Sequence, residues 1–302
     1  MRMTAFAATL ALASTAFGGE APKEPPAGGA EKPLVMFIGD SLTVGGKNHP
    51  DAKKYPQWSY AEAIKVLAGK NGPYRFDKRC AGGNSICGQY PGLLGFFKNV
   101  TGNGKEPAPT GLSMIVFQDS ATDHMPPPDE YEKALRDCLA LVEKKPGVKL
   151  VLCTTAFEGR KEDDKLQEAW KKVNAVMRKV AEEKKLGVIA LDVSWPRYIE
   201  WYKAKKLPLS EEKKWRITGE RIDTVHPGLT GSVFMAMNIA RELGIPKDKL
   251  DIENPDLPID RAMTAEIRDF VYSWKEPTVV PLPGSEAKPP ATPQDPATKA
   301  KE

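Results

Sequence analysis

Leu34-Val35-Met36-Phe37-Ile38, followed at once by Gly39-Asp40-Ser41-Leu42, is the stretch whose reading decides the fold. An uninterrupted apolar run closed by glycine has the length and composition of a buried strand. Further apolar runs of strand length recur at 74–79, 113–118, 148–154 and 187–192. Helical patterns at 57–68, 130–144, 165–184 and 230–243 fall between or after them. Strands separated by helices require crossover connections, which predicts an α/β fold: a three-layer, open, mostly parallel five-stranded sheet with helices on both faces. Ser41 then stands just past the carboxyl end of a buried strand, the edge at which such sheets bind and transform ligands.

Working outward, the helix ends are legible. Lys145-Pro146-Gly147 stops the second helical pattern and Leu186-Gly187 the third. In the pattern at 230–243, Val233, Met237, Ala240 and Leu243 share one face, which should pack on the sheet. Residues 195–222 read as a long irregular insert, and 258–274 as a final helix. The folded core predicted by these elements spans 33–274 of the 302 residues. Residues 1–18 carry Arg2, then a small and apolar run from Ala5 to Ala13, then Ala16-Phe17-Gly18, the layout of a cleaved secretory signal. That run is too short for a membrane span, so a secreted or periplasmic protein is expected. Residues 19–32 read as a linker, and 275–302, dense in Pro, Ala and Lys, as a disordered tail.

The net charge of +4 is spread through interleaved acids and bases, as in Lys161-Glu162-Asp163-Asp164-Lys165, so no nucleic-acid partner is expected. Cys80 and Cys87 lie close together on a glycine-rich stretch, and an oxidising compartment permits them to pair. Cys138 and Cys153 read as small buried hydrophobes. With three histidines and no zinc-like spacing, no metal is expected.

A serine hydroxyl is a poor nucleophile unless a base takes its proton, so Ser41 needs a histidine and a carboxylate. Asp223-Thr224-Val225-His226-Pro227 supplies both; Pro227 keeps His226 out of helical geometry, and Asp223 can turn towards its Nδ1. With these residues the chain resembles the GDSL esterases of the SGNH hydrolase superfamily, over nearly all of 35–243. The resemblance implies a flavodoxin-like SGNH hydrolase fold, Ser41 as nucleophile, Asp223 as orienting acid and His226 as general base, with no cofactor. Ala81-Gly82-Gly83-Asn84-Ser85 looks like the family's second block, whose glycine N–H serves the oxyanion hole; Gly83 is the first choice and Gly82 the next. The third block, glycine, any residue, asparagine, aspartate, departs here. Within Phe117-Gln118-Asp119-Ser120-Ala121-Thr122-Asp123, alignment of the final aspartate puts Thr122 where the asparagine donor belongs, with Gln118 or Asn84 as alternatives.

The expected chemistry is therefore acyl transfer to Ser41, with the oxyanion held by the Ser41 and Gly83 N–H groups and a side chain near Thr122. A small-molecule or polysaccharide ester is the expected partner, a short acyl group on carbohydrate foremost. Asp40 and His124 are candidate substrate contacts, and His49 reads as an exposed residue. An acyltransferase, a lysophospholipase or thioesterase of the same fold, and a catalytically weak binding protein are the alternatives. Tyr198, Trp201 and Tyr202, with Trp195 and Trp215 nearby, have the spacing of a helix face packed on a core. Their alternative reading is a platform for stacking on sugar rings.

Overall fold

A computed structural model describes residues 31–45, 58–120, 126–155, 164–206 and 227–275. Five strands, β1 (Leu34–Gly39), β2 (Arg75–Cys80), β3 (Leu112–Gln118), β4 (Lys149–Cys153) and β5 (Gly187–Ile189), form one sheet in the order β2-β1-β3-β4-β5. Every pairing is parallel. The expected strands are all present; the fifth is shorter, because the chain turns into a helix at Leu191.

Alternation along the strands divides the core. Val35, Phe37, Phe76, Met114, Val116, Val151 and Ile189 face one helical layer, made by α2 (Tyr60–Ala68), α6 (Leu191–Ala204), α7 (Leu229–Glu242) and α8 (Arg261–Tyr272). Met36, Ile38, Ile115, Phe117, Leu150 and Leu152 face the other, made by α3 (Gly92–Val100), α4 (Pro128–Glu143) and α5 (Asp164–Lys184). A short α1 (Ser41–Val44) follows β1. Among the described residues no helix is long and apolar enough to cross a membrane.

Two elements differ from the sequence reading. α3 was not anticipated because Gly92 and Gly95 depress helix propensity. It forms because Leu93, Phe97 and Val100 recur at helical spacing and are buried, with the Phe97 ring edge-on to Phe117 at 5.1 Å. The first part of the expected insert, from Trp195 to Ala204, is helical. Pro196 removes a helix donor there and so reads as a breaker, but Trp195, Tyr198, Ile199 and Tyr202 are all buried along one face. Tyr198 stacks on Phe234 of α7 with ring centroids 4.3 Å apart, and Trp201 stacks on Phe270 of α8 at 5.1 Å. The aromatic group is therefore core, and the sugar platform is not what Tyr198, Trp195 or Tyr202 provide. Trp215 lies outside the described residues.

Cys138 and Cys153 are buried hydrophobes, as read. Cys80 and Cys87 are unjoined thiols: Cys80 closes β2 on the α2 side, whereas Cys87 belongs to the core beneath α3 and α4. Burial, with the Asp119 charge second, pushes the Cys87 thiol up to about 12. Burial likewise raises Cys138 and Cys153, and the phenols of Tyr60 and Tyr131. These groups are neutral in the folded protein at a pH where the unfolded chain releases their protons. Their contribution is fully present below an unfolded thiol pKa of about 8.5 and declines as pH rises towards the folded values. Thermal unfolding should therefore show a lower Tm at about pH 10 than at about pH 7.5; a flat profile between them contradicts this account.

Candidate active site

The carboxyl end of the sheet reverses direction in strand order between β1 and β3: the chain leaves β1 towards β2 on one side and returns to pair β3 on the other. Such a switch point opens a crevice at the strand ends. Gly39 is in register with Cys80 on one side and Gln118 on the other, so three chain segments leave the sheet at one level. Ser41 begins the turn out of β1, partly exposed.

Each residue of Gly39-Asp40-Ser41-Leu42 has a structural reason for its type. A Cβ at Gly39 would overlap the Thr43 hydroxyl and stand 2.7 Å from the Gln118 carbonyl oxygen, so only glycine lets α1 fold down against β3. Asp40 caps α1, its Oδ1 accepting the Leu42 N–H at 2.9 Å. Its Oδ2 accepts the Ser120 N–H at 2.7 Å and the Ser120 hydroxyl. At 3% exposure Asp40, which the sequence offered as a substrate contact, anchors the turn through these bonds. Leu42 is buried in the α2-side core.

The second loop lies alongside. A Cβ built on Gly82 would come 3.6 Å from Ser41 Cβ, which makes the glycine backbone the immediate neighbour of that side chain. Gly83 has φ +68°, the left-handed region where glycine is favoured. Asn84 Nδ2 donates to the Gly82 carbonyl at 3.0 Å, folding its amide back on its own loop. The loop is fixed from below by Asp119, whose Oδ2 accepts Ser85 Oγ at 2.7 Å and the Ile86 N–H at 3.0 Å. Sequence reasoning passed over Asp119 and Ser120; a carboxylate directly after an apolar strand is the signal that marks them.

Gln118 is fully buried, donating from Nε2 to Thr155 Oγ1 at 3.2 Å and accepting from Thr43 Oγ1 at 3.4 Å. It belongs to a layer of polar bonds beneath the edge. Thr43 also bonds the Tyr60 hydroxyl at 2.6 Å, and Thr155 Oγ1 donates to the Asp119 carbonyl at 3.2 Å. Gln118 is therefore not placed as the alternative oxyanion donor. Nearby, Asp192 takes the Arg178 guanidinium at 2.6 Å and the Thr154 hydroxyl at 2.7 Å, tying β4, α5 and α6 together.

Thr122, Asp123, His124, Asp223, His226 and His49 lie outside the described residues. The described chain resumes at Pro227, next to His226 in sequence. A Cβ on Gly231 would stand 3.1 Å from Pro227 Cβ and 2.8 Å from the Trp195 ring, so Pro227 and Trp195 flank the same point at the start of α7. Trp195 lies in the first turns after β5, hence towards the carboxyl edge. Among the described residues no cluster of three or more His, Cys, Asp or Glu is arranged to hold a metal ion.

Gly39→Ala should be poorly tolerated, since the overlap involves a packed hydroxyl and a β3 carbonyl. We expect a loss of about 2–4 kcal/mol in urea unfolding, of the size that overpacking and strain produce. A loss under about 0.5 kcal/mol, the scale of an ordinary surface change, contradicts the packing described.

Comparison of the sequence with protein-family models and with curated proteins returns no match. Solved structures do match. LAE5, an alpha/beta hydrolase enzyme from the metagenome of Lake Arreo, Spain, aligns at 19% identity with a TM-score of 0.52, covering 71% of this chain and 96% of that one. A catalytic mutant of Axe2, an acetylxylan esterase from Geobacillus stearothermophilus, aligns at 19% identity with a TM-score of 0.49, covering 71% and 95%. A member of the lipolytic G-D-S-L family from Veillonella parvula aligns at 16% identity with a TM-score of 0.47, covering 70% and 97%. At such identities the likeness is one of fold. With its parallel β2-β1-β3-β4-β5 sheet between two helical layers, this chain shares the fold of LAE5.

Proposed function

We propose that this chain is an exported serine esterase that removes short acyl groups, acetyl foremost, from carbohydrate esters through an acyl-serine intermediate. The observation that carries the reading is the juxtaposition of Ser41, just past the carboxyl end of β1, with the Gly82-Gly83 turn beside its side chain. A nucleophile and an oxyanion site must lie within a few ångströms, because the oxyanion forms on the carbon that the nucleophile attacks.

In the proposed cycle, His226 takes the Ser41 proton while Asp223 holds its tautomer, and Ser41 Oγ attacks the ester carbonyl. The negative charge moves to the carbonyl oxygen, received by the Ser41 N–H, the Gly82-Gly83 turn and the side chain at Thr122. Collapse expels the alcohol, which takes the proton from His226. Water, deprotonated by His226, then releases the acid and restores Ser41. Support for the base comes from the Asp223-Thr224-Val225-His226-Pro227 spacing and from Pro227 standing beside Trp195. Support for export comes from the signal-like layout of residues 1–18.

The test is a series of aryl esters of increasing acyl length and acetylated sugars, with a serine-directed phosphonate run in parallel. Wild type should hydrolyse acetyl esters best and take up one phosphonate on Ser41, and Ser41→Ala should lose at least about a thousandfold in kcat. Absence of both turnover and labelling in wild type sinks the esterase reading; preference for long chains sinks the acetyl assignment alone. Full-length protein retained in the cytoplasm after expression in its own kind of cell sinks the export assignment.

A further inference from the structure

Adjacent residues at the end of β3 reach to different loops of the candidate site. Ser120 bonds Asp40 in the turn that carries Ser41. Asp119 bonds Ser85 and Ile86 in the loop that carries Gly82 and Gly83. Asp119, Ser85 and Ser120 are all buried, so neither anchor is exchanged for water. Ser120 and Asp119 are joined by one peptide bond, and the separation of the two loops is therefore set by a single rigid strand end.

A carboxylate without solvent is costly to retain and persists only where its oxygens are bonded. The α3-side core around it is otherwise closed by Ile86, Phe97, Phe117 and Tyr131, which an apolar residue at this place would join. Its Oδ2 is instead directed at the Ser85 hydroxyl and the Ile86 N–H, directly following the Gly82-Gly83-Asn84 turn. Charge-assisted bonds of this kind are short and directional, and hold a loop more tightly than packing alone.

We infer that Asp119, acting through Ser85, is a positioning residue that sets the distance between the Ser41 nucleophile and the Gly82-Gly83 oxyanion turn. The inference rests on the serine-esterase reading above. Asp119 touches no reacting atom; its effect is on the geometry in which the oxyanion is received. Misplacement of such a turn by about an ångström costs about a hundredfold in rate, with little effect on ground-state binding.

The test compares full-length wild type with Ser85→Ala, Asp119→Asn, Asp119→Ala and the double variant Ser85→Ala/Asp119→Ala. Each is read for kcat and KM on p-nitrophenyl acetate, for phosphonate labelling of Ser41, for Tm, and for amide exchange over 82–86. Ser85→Ala should lower kcat about tenfold and Asp119→Ala about a hundredfold, with KM within about twofold of wild type. Asp119→Asn keeps an oxygen able to accept both bonds and should recover to within about fivefold of wild type. The double variant should be no slower than Asp119→Ala alone, since the two act as one unit. Exchange over 82–86 should quicken in Ser85→Ala while its Tm stays within about 3 °C.

A reactive wild type with Ser85→Ala unchanged in kcat, or with its loss confined to KM, overturns the inference and leaves the esterase reading standing. A wild type inert to ester and phosphonate overturns both. If Asp119→Ala does not fold, Ser85→Ala and Asp119→Asn decide the question by the same measurements.

Discussion

The pairing of β1 on both sides, with β2 and with β3, is the constraint on which the rest of the structure depends. A strand hydrogen-bonded along both edges and buried on both faces has no freedom to slide, because a shift by one residue would exchange every side chain between the two cores. Val35 and Phe37 against α2, and Met36 and Ile38 against α3 and α4, lock that register. Gly39, Cys80 and Gln118 are consequently level, and the turns that follow meet at one place. Ser41 obtains its position from this register and from Gly39, where any Cβ would collide with the Thr43 hydroxyl and the Gln118 carbonyl oxygen.

The helical layers hold this edge in different ways. On the α2 side the packing is apolar and aromatic: Phe234 of α7 stacks on Tyr198 of α6, Tyr198 on Trp201, and Trp201 on Phe270 of α8. A fully buried aromatic ring contributes about 2–3 kcal/mol by burial and about 1 kcal/mol more when stacked. This is enough to keep α6 helical across Pro196 and to seat the start of α7 against Trp195 with only a glycine between. Beneath the edge itself the contacts are polar, running through Thr43, Tyr60, Gln118, Thr155 and Asp119. Polar bonds fix direction where apolar packing fixes only proximity, and direction is what a site of this chemistry requires.

Much of this was legible in the residues. The apolar run at 34–38 and its four successors are strands, and the helical patterns at 130–144, 165–184 and 230–243 are helices within a residue or two of their expected ends. Period and length suffice there because burial on one or both faces dictates the pattern. α3 and the start of α6 were not legible, because Gly92, Gly95 and Pro196 are local signals against helix that only long-range burial overrides. In the candidate site, Ser41 and the Gly82-Gly83 loop were legible as motif and are adjacent in space. The duties of Asp40, Gln118 and Asp119 were not, since an acid or amide beside a nucleophile reads as chemistry until its hydrogen-bond partners are known.

The amino-acid sequence by itself determined the alternation of buried strands and amphipathic helices, and with it the parallel sheet and the exit of Ser41 at its carboxyl edge. These follow from the periodic placement of apolar side chains, a property of neighbours along the chain. Only the tertiary structure decided which polar groups face one another: that Asp40 meets Ser120, that Asp119 meets Ser85, and that Cys80 and Cys87 lie on opposite sides of the sheet. Each of those depends on strand order and register across 33 to 80 residues of chain or on which face a strand end presents, and no local pattern encodes a distance through space.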